Sequence, residues 1–377
     1  MQSRNGLKVF VDAYLLNKEP QGTVTYLKGL YAAVVRQNPE IDFYFGCMNQ
    51  FKAEELDSLE NVHYIYYKNP SRIKRMLHEI PHIIAHYKFD FAHFQYVIPL
   101  KKYEHCVYIN TIHDVLFMDF PEYFPLNYRW VRRLLFKRSA IKCDVLLTVS
   151  EYSKRAIEQH FEIDKRKIKV ISNGISAKFF EEYDSTNIKS EVKSEFGLEK
   201  YLLMVSRIEP RKNQALVLQT FFEQKWDESG FQLVFVGAKS IKYKQLEKMM
   251  TSLSTQQIKC VHFIAEIGDH ALLKIYRGAE GFIYPSMAEG FGIPPLEAGS
   301  CAIPVLCSNN TAMEAYDFFK PYFCDVANEN DFKKVFSIFT HSRSQKELEV
   351  IRTEIKKRYR WEESAEKFSI ILLSNKK

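Results

Sequence analysis

Residues 285–304 read PSMAEGFGIPPLEAGSCAIP and follow a four-residue apolar run, Gly281-Phe282-Ile283-Tyr284. A short apolar run bounded by turn residues reads as a buried parallel strand. A glycine-rich turn comes next, and Pro294-Pro295 then stand before Leu296-Glu297-Ala298. Proline is tolerated in a first helical turn, where its missing N–H would have had no partner. The order is therefore strand, loop, helix N-terminus. Such an end aims backbone N–H groups and a positive dipole at one point, which suits a phosphate. Glu289 and Glu297 bracket the turn with seven residues between them. Because the turn breaks the helical path, the two carboxylates are expected on either side of whatever the turn holds. Carboxylates repel a polyphosphate, so their expected partners are hydroxyls, as on a sugar or a ribose. A buried α/β turn with two solvent-facing glutamates would show the same pair.

Working outward, 377 residues suffice for two domains of ordinary size. Hydrophobic residues at 46% and charged residues at 26% describe a globular chain. The seven cysteines form no C-x-x-C pair, which argues against a zinc site or a disulfide scaffold and suits a reducing cytosol. Asp12 interrupts the first apolar run and Lys8 sits within it, so the N-terminus does not read as a signal peptide. No apolar run approaches the length that spans a bilayer. Residues 1–175 hold 25 Lys and Arg against 19 Asp and Glu, a net of +6, whereas the rest holds 28 against 27. That asymmetry points to an anionic partner for the first half, a membrane surface or a phosphate-linked acceptor. No nucleic-acid motif accompanies it, so nucleic acid is not expected.

Strands are expected at Leu7–Val11, Ile41–Cys47, Phe89–Phe94, Cys106–Ile112, Cys143–Val149 and Ile168–Ser172. Gly22 opens the first helical pattern, where a missing side chain lets a phosphate or another backbone approach. There is no G-x-G-x-x-G, which counts against a nicotinamide enzyme. His113 follows a strand at its carboxyl end, where open α/β sheets bind ligands. From Asn127 to Ile141 a helical pattern carries Arg129, Arg132, Arg133, Lys137 and Arg138, with Lys142 just beyond. Trp130, Leu134 and Ile141 fall on one face of it. Two readings stand: a helix lying on anionic lipid, or a surface helix whose apolar side covers the sheet. The charged stretch Glu181–Glu199 reads as the linker between domains. The second half opens with the strand Tyr201–Val205 and then Ser206-Arg207-Ile208-Glu209-Pro210-Arg211-Lys212-Asn213. Arg207 and Lys212 thus lie between a strand's end and a helix's start, where two cations can clamp a diphosphate. Strands at Gln232–Gly237 and Val261–Ile264 follow, the first ending in Gly237 and the second leading to Ile267.

Together EGFGIPPLEAGSCAIPV, S-R-x(4)-K at Ser206–Lys212 and T-x-H-D at Thr111–Asp114 resemble the retaining family 4 glycosyltransferases, closest in look to bacterial mannosyltransferases of surface-polysaccharide synthesis. The likeness covers most of the chain and weakens from Asn309. It implies an α/β GT-B fold, two Rossmann-like doubly wound domains facing each other across a cleft. Residues 1–178 would form the acceptor-side domain, with a closing helix 361–377 packed back onto it, and residues 179–360 the nucleotide-sugar domain. The implied reaction moves a hexose from a nucleotide-diphosphate sugar to a glycan or lipid-linked acceptor, with retention at the anomeric carbon. By resemblance His113 lies near the donor sugar, Arg207 and Lys212 neutralise the diphosphate, Glu289 holds sugar hydroxyls and Glu297 the ribose. Gly22, Ser206, Gly237, Ile267, Gly290, Phe291, Gly292 and Ile293 complete the implied donor contacts. No D-x-D occurs, so no metal and no further cofactor is expected. GDP-mannose is the first expectation for the donor, and UDP-glucose or UDP-N-acetylglucosamine the alternatives. An epimerase or phosphorylase on the same fold, a non-catalytic nucleotide-sugar-binding protein and a membrane-associated scaffold are the rival readings. A cytoplasmic enzyme with possible peripheral contact at an anionic membrane completes the expectation.

Overall fold

In a computed structural model, the structure describes residues 6–17, 22–48, 56, 59–339 and 344–376. Residues 18–21, just ahead of Gly22, fall outside them. The chain divides into two compact units, Met1–Gly174 with Tyr359–Lys377, and Ile175–Arg358.

Runs rich in Val, Ile, Phe and Tyr with apolar residues on both faces build strands covered on both sides, the pattern of parallel sheets. In the first unit these are β1 (Lys8–Asp12), β2 (Asp42–Cys47), β3 (Val62–Tyr66), β4 (Phe91–Gln95), β5 (Val107–Thr111), β6 (Val145–Thr148) and β7 (Ile168–Val170). Among the described residues they pair in the order β3-β2-β1-β4-β5-β6-β7, every pair parallel. The register sets Val9 beside Phe43 and Phe91, so the apolar runs coincide across the sheet. The helix Trp361–Ser374 belongs to this unit and packs on the helix Gly22–Gln37. Trp361 explains two glycines, since an added Cβ would stand 2.0 Å from its ring at Gly29 and 2.4 Å from its backbone nitrogen at Gly174.

The second unit is built on β8 (Tyr201–Val205), β9 (Gln232–Val236), β10 (Val261–Ile264), β11 (Gly281–Tyr284), β12 (Val305–Ser308) and β13 (Phe323–Cys324). Their order is β10-β9-β8-β11-β12-β13, again all parallel. Its core gathers Leu202, Met204, Val217, Phe221, Phe235, Ile283, Leu306 and Phe332, all buried.

Two expectations are corrected. The stretch read as a linker holds the helix Ser185–Phe196, capped by the Asp184 carboxylate on Thr186 and Asn187 and closed by Gly197 at φ +68°. Its charges lie on two sides of the helix, Glu191 and Glu195 pairing with Lys274 at 2.7 and 2.6 Å and Lys189 with Glu280 at 2.6 Å. The basic helix runs Leu126–Lys142, and its buried residues are Phe136, Ser139 and Ala140. Trp130, Leu134 and Ile141, the face proposed to cover the sheet, are exposed instead.

Candidate active site

Where strand order reverses in an open parallel sheet, the loops leaving two strands diverge and leave a crevice at their carboxyl ends. In the second unit the reversal lies between β8 and β11. The loop after β8 carries Ser206–Asn213, and the loop after β11 carries Pro285–Gly292. Two clusters about eighty residues apart in sequence therefore meet at one point by topology alone. The Met287 N–H donates to the Arg211 carbonyl at 2.9 Å, tying the loops together.

At that point lies a buried ionic set. Lys212 and Glu289 are 7% and 8% exposed, and the Lys212 ammonium donates to Glu289 Oε1 and to the Tyr284 hydroxyl, the latter at 3.0 Å. The Tyr284 hydroxyl donates to the same Oε1 at 3.1 Å, Ser286 Oγ also donates to it, and Arg211 Nη1 stands 3.3 Å away. Arg211 Nη2 meets Glu209 Oε1 at 2.6 Å, and Nη1 donates to the Ala288 carbonyl. Burial by itself would raise the Glu289 carboxyl. The charges of Lys212 and Arg211, with the hydrogen bonds from Lys212 and Ser286, overcome that and hold it at about 2. Burial and then Arg211 push Lys212 downward, against the pull of Glu289 and Glu209.

The sequence placed the two glutamates on either side of a bound group and made Lys212 half of a clamp. In the structure Glu289 and Lys212 are directly paired, because a buried cation and a buried carboxylate each lower the other's cost of leaving water. These four side-chain contacts on Glu289 converge on Oε1. Arg207 is exposed, and the Ser206 hydroxyl accepts from Gln214 at 3.0 Å.

The turn after Glu289 is fixed from outside. The Glu289 N–H donates to Thr311 Oγ1 at 2.9 Å, and the Tyr316 hydroxyl donates to the Phe291 carbonyl at 2.7 Å. Gly290 and Phe291 lead to Gly292, which has φ +93°, a left-handed conformation that favours glycine at the helix N-cap. The helix Ile293–Ser300 follows. Pro294 and Pro295 leave Ile293 as the N–H donor of its first three positions. The anion site expected here therefore rests more on the helix dipole than on a row of amides.

Glu297 lies one turn into this helix, half-buried, and its Oε2 accepts from the Tyr276 hydroxyl at 2.8 Å. Burial pushes its carboxyl up to about 7, with the Tyr276 hydrogen bond pulling the other way. Gly237 closes β9 at φ +139°, where a Cβ would stand 2.2 Å from the Ser206 carbonyl oxygen. Its glycine thus has a reason inside the fold. Ile267 is half-buried in the loop after β10. Among the described residues no group of three or more His, Cys, Asp or Glu is placed to hold a metal ion.

In the first unit, His113 lies in the loop leaving β5 and is 6% exposed. Its Nε2 meets Gln95 Oε1 at 2.8 Å, and the Gln95 amide nitrogen lies 3.3 Å from His93 Nε2. An amide oxygen accepts only, so Nε2 carries the proton and Nδ1 is the acceptor. Burial pushes His113 down to about 3, so the ring is neutral at ordinary pH. Tyr26 meets it edge-on at 4.9 Å, and the Tyr96 ring lies 5.2 Å away. Gly22 opens its helix with no atom within 4 Å of an added Cβ.

Two family signatures match this chain, "Glycosyltransferase Family 4" over residues 20–179 and "Glycosyl transferases group 1" over residues 186–367. The chain belongs to the family 4 glycosyltransferases of GT-B fold. O-antigen chain mannosyltransferase B of Escherichia coli is 25% identical over 74% of this chain and 76% of its own length. O-antigen chain mannosyltransferase RfbU of Salmonella typhimurium is 30% identical, over 53% of this chain and about half its own length, 51%. Among solved structures, sucrose-phosphate synthase from Thermosynechococcus elongatus superposes with a TM-score of 0.79 at 14% identity, covering 98% of both chains. That likeness speaks for the fold.

Within this glycosyltransferase, sequence reasoning missed Glu209, Arg211, Tyr284, Ser286, Tyr276 and Gln95 as members of the two sites. Glu209 and Arg211 stood beside Lys212, and Tyr284 and Ser286 flanked Pro285. Their spacing was visible, but nothing in it separated a buried network from a solvated set of charges.

Proposed function

We propose that this glycosyltransferase moves a hexose, mannose first, from a nucleoside-diphosphate sugar to a glycan or lipid-linked acceptor, with retention and without a metal. The observation that carries the donor half is the meeting of the loops after β8 and β11 at the strand-order reversal, with cations and Glu289 in one buried set. The names of the O-antigen mannosyltransferase relatives support mannose and a polysaccharide product.

In this reading the leaving diphosphate develops negative charge as the glycosidic bond breaks. Arg207, Lys212 and the N-terminal dipole at Gly292-Ile293 stabilise it, and that help grows toward the transition state. Glu289, anchored through Oε1, offers its other oxygen to sugar hydroxyls, while Glu297 accepts from the ribose. His113 offers an unprotonated Nδ1 to a sugar hydroxyl. Retention follows a front-face path, in which the departing phosphate oxygen takes the acceptor hydroxyl proton. The test is calorimetry with GDP, UDP and dTDP and their sugars, then NMR of the transferred sugar's anomeric proton. GDP-mannose binding with an α-linked product is the expected result. Tight UDP binding would overturn the mannose reading, and a β-linked product would overturn retention.

A further inference from the structure

The helix Leu126–Lys142 has its apolar side turned to solvent. Leu126 and Leu134 are 67% exposed, Trp130 60%, Val131 56%, Ile141 55% and Leu135 40%. At about 100° per residue these six spread over roughly half the helix circumference, while buried Phe136, Ser139 and Ala140 cluster on the other half. Contiguous exposed apolar patches mark interaction sites, so a face of six large apolar groups left in water needs an occupant. Leu100, 60% exposed, adjoins this face, because Arg138 donates to the carbonyls of Ile98, Pro99 and Leu100 at 3.3, 3.3 and 3.1 Å.

The charge on the helix limits what that occupant is. Arg129, Arg132, Arg133, Lys137, Arg138 and Lys142 lie on it with no Asp or Glu. Arg132 lies over the Tyr128 ring at 4.0 Å, and Lys137 pairs with Glu162 at 3.0 Å. Arg133, Lys137, Arg138 and Lys142 sit within or beside the apolar arc, by the same rotation of about 100° per residue. A second copy docking by two-fold symmetry would set this patch against itself, cation facing cation. An anionic bilayer accepts both components: apolar side chains enter the acyl boundary, and Lys and Arg reach back to the headgroups. Tryptophan favours that boundary as well. The described helices include none long and apolar enough to cross a membrane.

We infer that this helix is a docking face for an anionic lipid surface and lies in its plane with Trp130 and Leu134 inserted. The inference stands on the helix alone and survives failure of the donor reading. Its test uses the full chain with phosphatidylcholine vesicles, with or without phosphatidylglycerol, and no nucleotide sugar. Of the three tryptophans, Trp226 and Trp361 are 6% and 8% exposed, so quenching by brominated lipid reports mainly on Trp130. Binding at least ~10-fold tighter with phosphatidylglycerol is expected, lost at high salt and accompanied by quenching. Trp130→Ser with Leu134→Ser should lose about 10-fold or more of that affinity and keep an unchanged circular dichroism spectrum. Equal binding to both vesicles, or binding without quenching, would overturn the proposal. So would concentration-dependent dimers in ultracentrifugation that the double variant abolishes, since the face would then belong to a second copy.

Discussion

Replacing Glu289 by Gln removes the carboxylate on which Lys212, Tyr284, Ser286 and Arg211 converge. The carboxyl is held at about 2, against an ordinary 4.5. At about 1.4 kcal/mol per tenfold in proton affinity, that gap corresponds to roughly 3 kcal/mol of stability. A depressed carboxyl contributes fully above its unfolded value of 4.5 and loses the contribution as pH falls toward 2. The deficit of the Gln variant should therefore be largest at neutral pH and shrink on acidification. A unit the size of Ile175–Arg358 shifts its Tm by about 2–4 °C per kcal/mol, or roughly 6–12 °C here. Lys212→Met with Glu289→Leu should cost less than Glu289→Gln alone, because no buried charge is left without its partner. Nucleoside diphosphate should raise the Tm of Glu289→Gln more than that of the parent, its anion taking the place of the lost carboxylate beside Lys212. The checks are calorimetric scans at pH 7 and pH 4, with and without GDP. A Gln variant as stable as the parent at pH 7, or a deficit that grows in acid, would refute the ionic account.

His113 is held neutral by burial, so activity between pH 5.5 and 8 should carry no inflection from it. His113→Ala should lower turnover by roughly 100-fold with little change in GDP affinity, and a pH inflection that disappears in this variant would show a titrating ring. Glu297, raised to about 7, accepts hydroxyls best when ionised. GDP-mannose, whose diphosphate stays fully charged, should therefore bind about 10-fold tighter at pH 8 than at pH 6, and Glu297→Gln should flatten that slope. A native carboxyl raised in this way also lowers fold stability as pH rises from 4.5 through 7. Affinity independent of pH in the parent would remove Glu297 from the ribose.

The strand–turn–helix at Gly281–Ser300 was legible because a buried parallel strand, a glycine turn and paired prolines leave few alternatives. Strands with apolar residues on both faces were legible for the same reason. β3, Val62–Tyr66, was missed although Tyr64-Ile65-Tyr66 is a run of strand formers; it is an edge strand whose residues are half-buried or exposed. Ser185–Phe196 was misread since a helix packed through few apolar residues looks polar throughout, and its cap at Asp184 carries the better signal. The basic helix shows the limit of periodicity. Trp130, Leu134 and Ile141 do share a face, but a moment gives the direction of the stripe and not which side faces the protein. At the site, residue types were legible and pairings were not. That Lys212 bonds Glu289 follows from strand order, which places β8 beside β11 and is not written in local sequence.

The two glutamates of one motif end in opposite states, and the cause is their neighbours. Glu289 meets two cations and two hydroxyl donors inside the fold, so it stays ionised. Glu297 meets one tyrosine hydroxyl in a packed setting, so it holds its proton to near neutrality. Glu209, Arg211, Lys212 and Glu289 sum to zero charge, and a neutral set attracts a diphosphate only by redistributing its bonds. If Lys212 turns toward the phosphates, Glu289 must find another donor, and a sugar hydroxyl is the group the donor itself brings. Diphosphate and sugar would then be read together through one buried ion pair. An intact nucleotide sugar would then satisfy both ends of that pair, whereas a nucleoside diphosphate alone would draw Lys212 away and leave the carboxylate short of a donor.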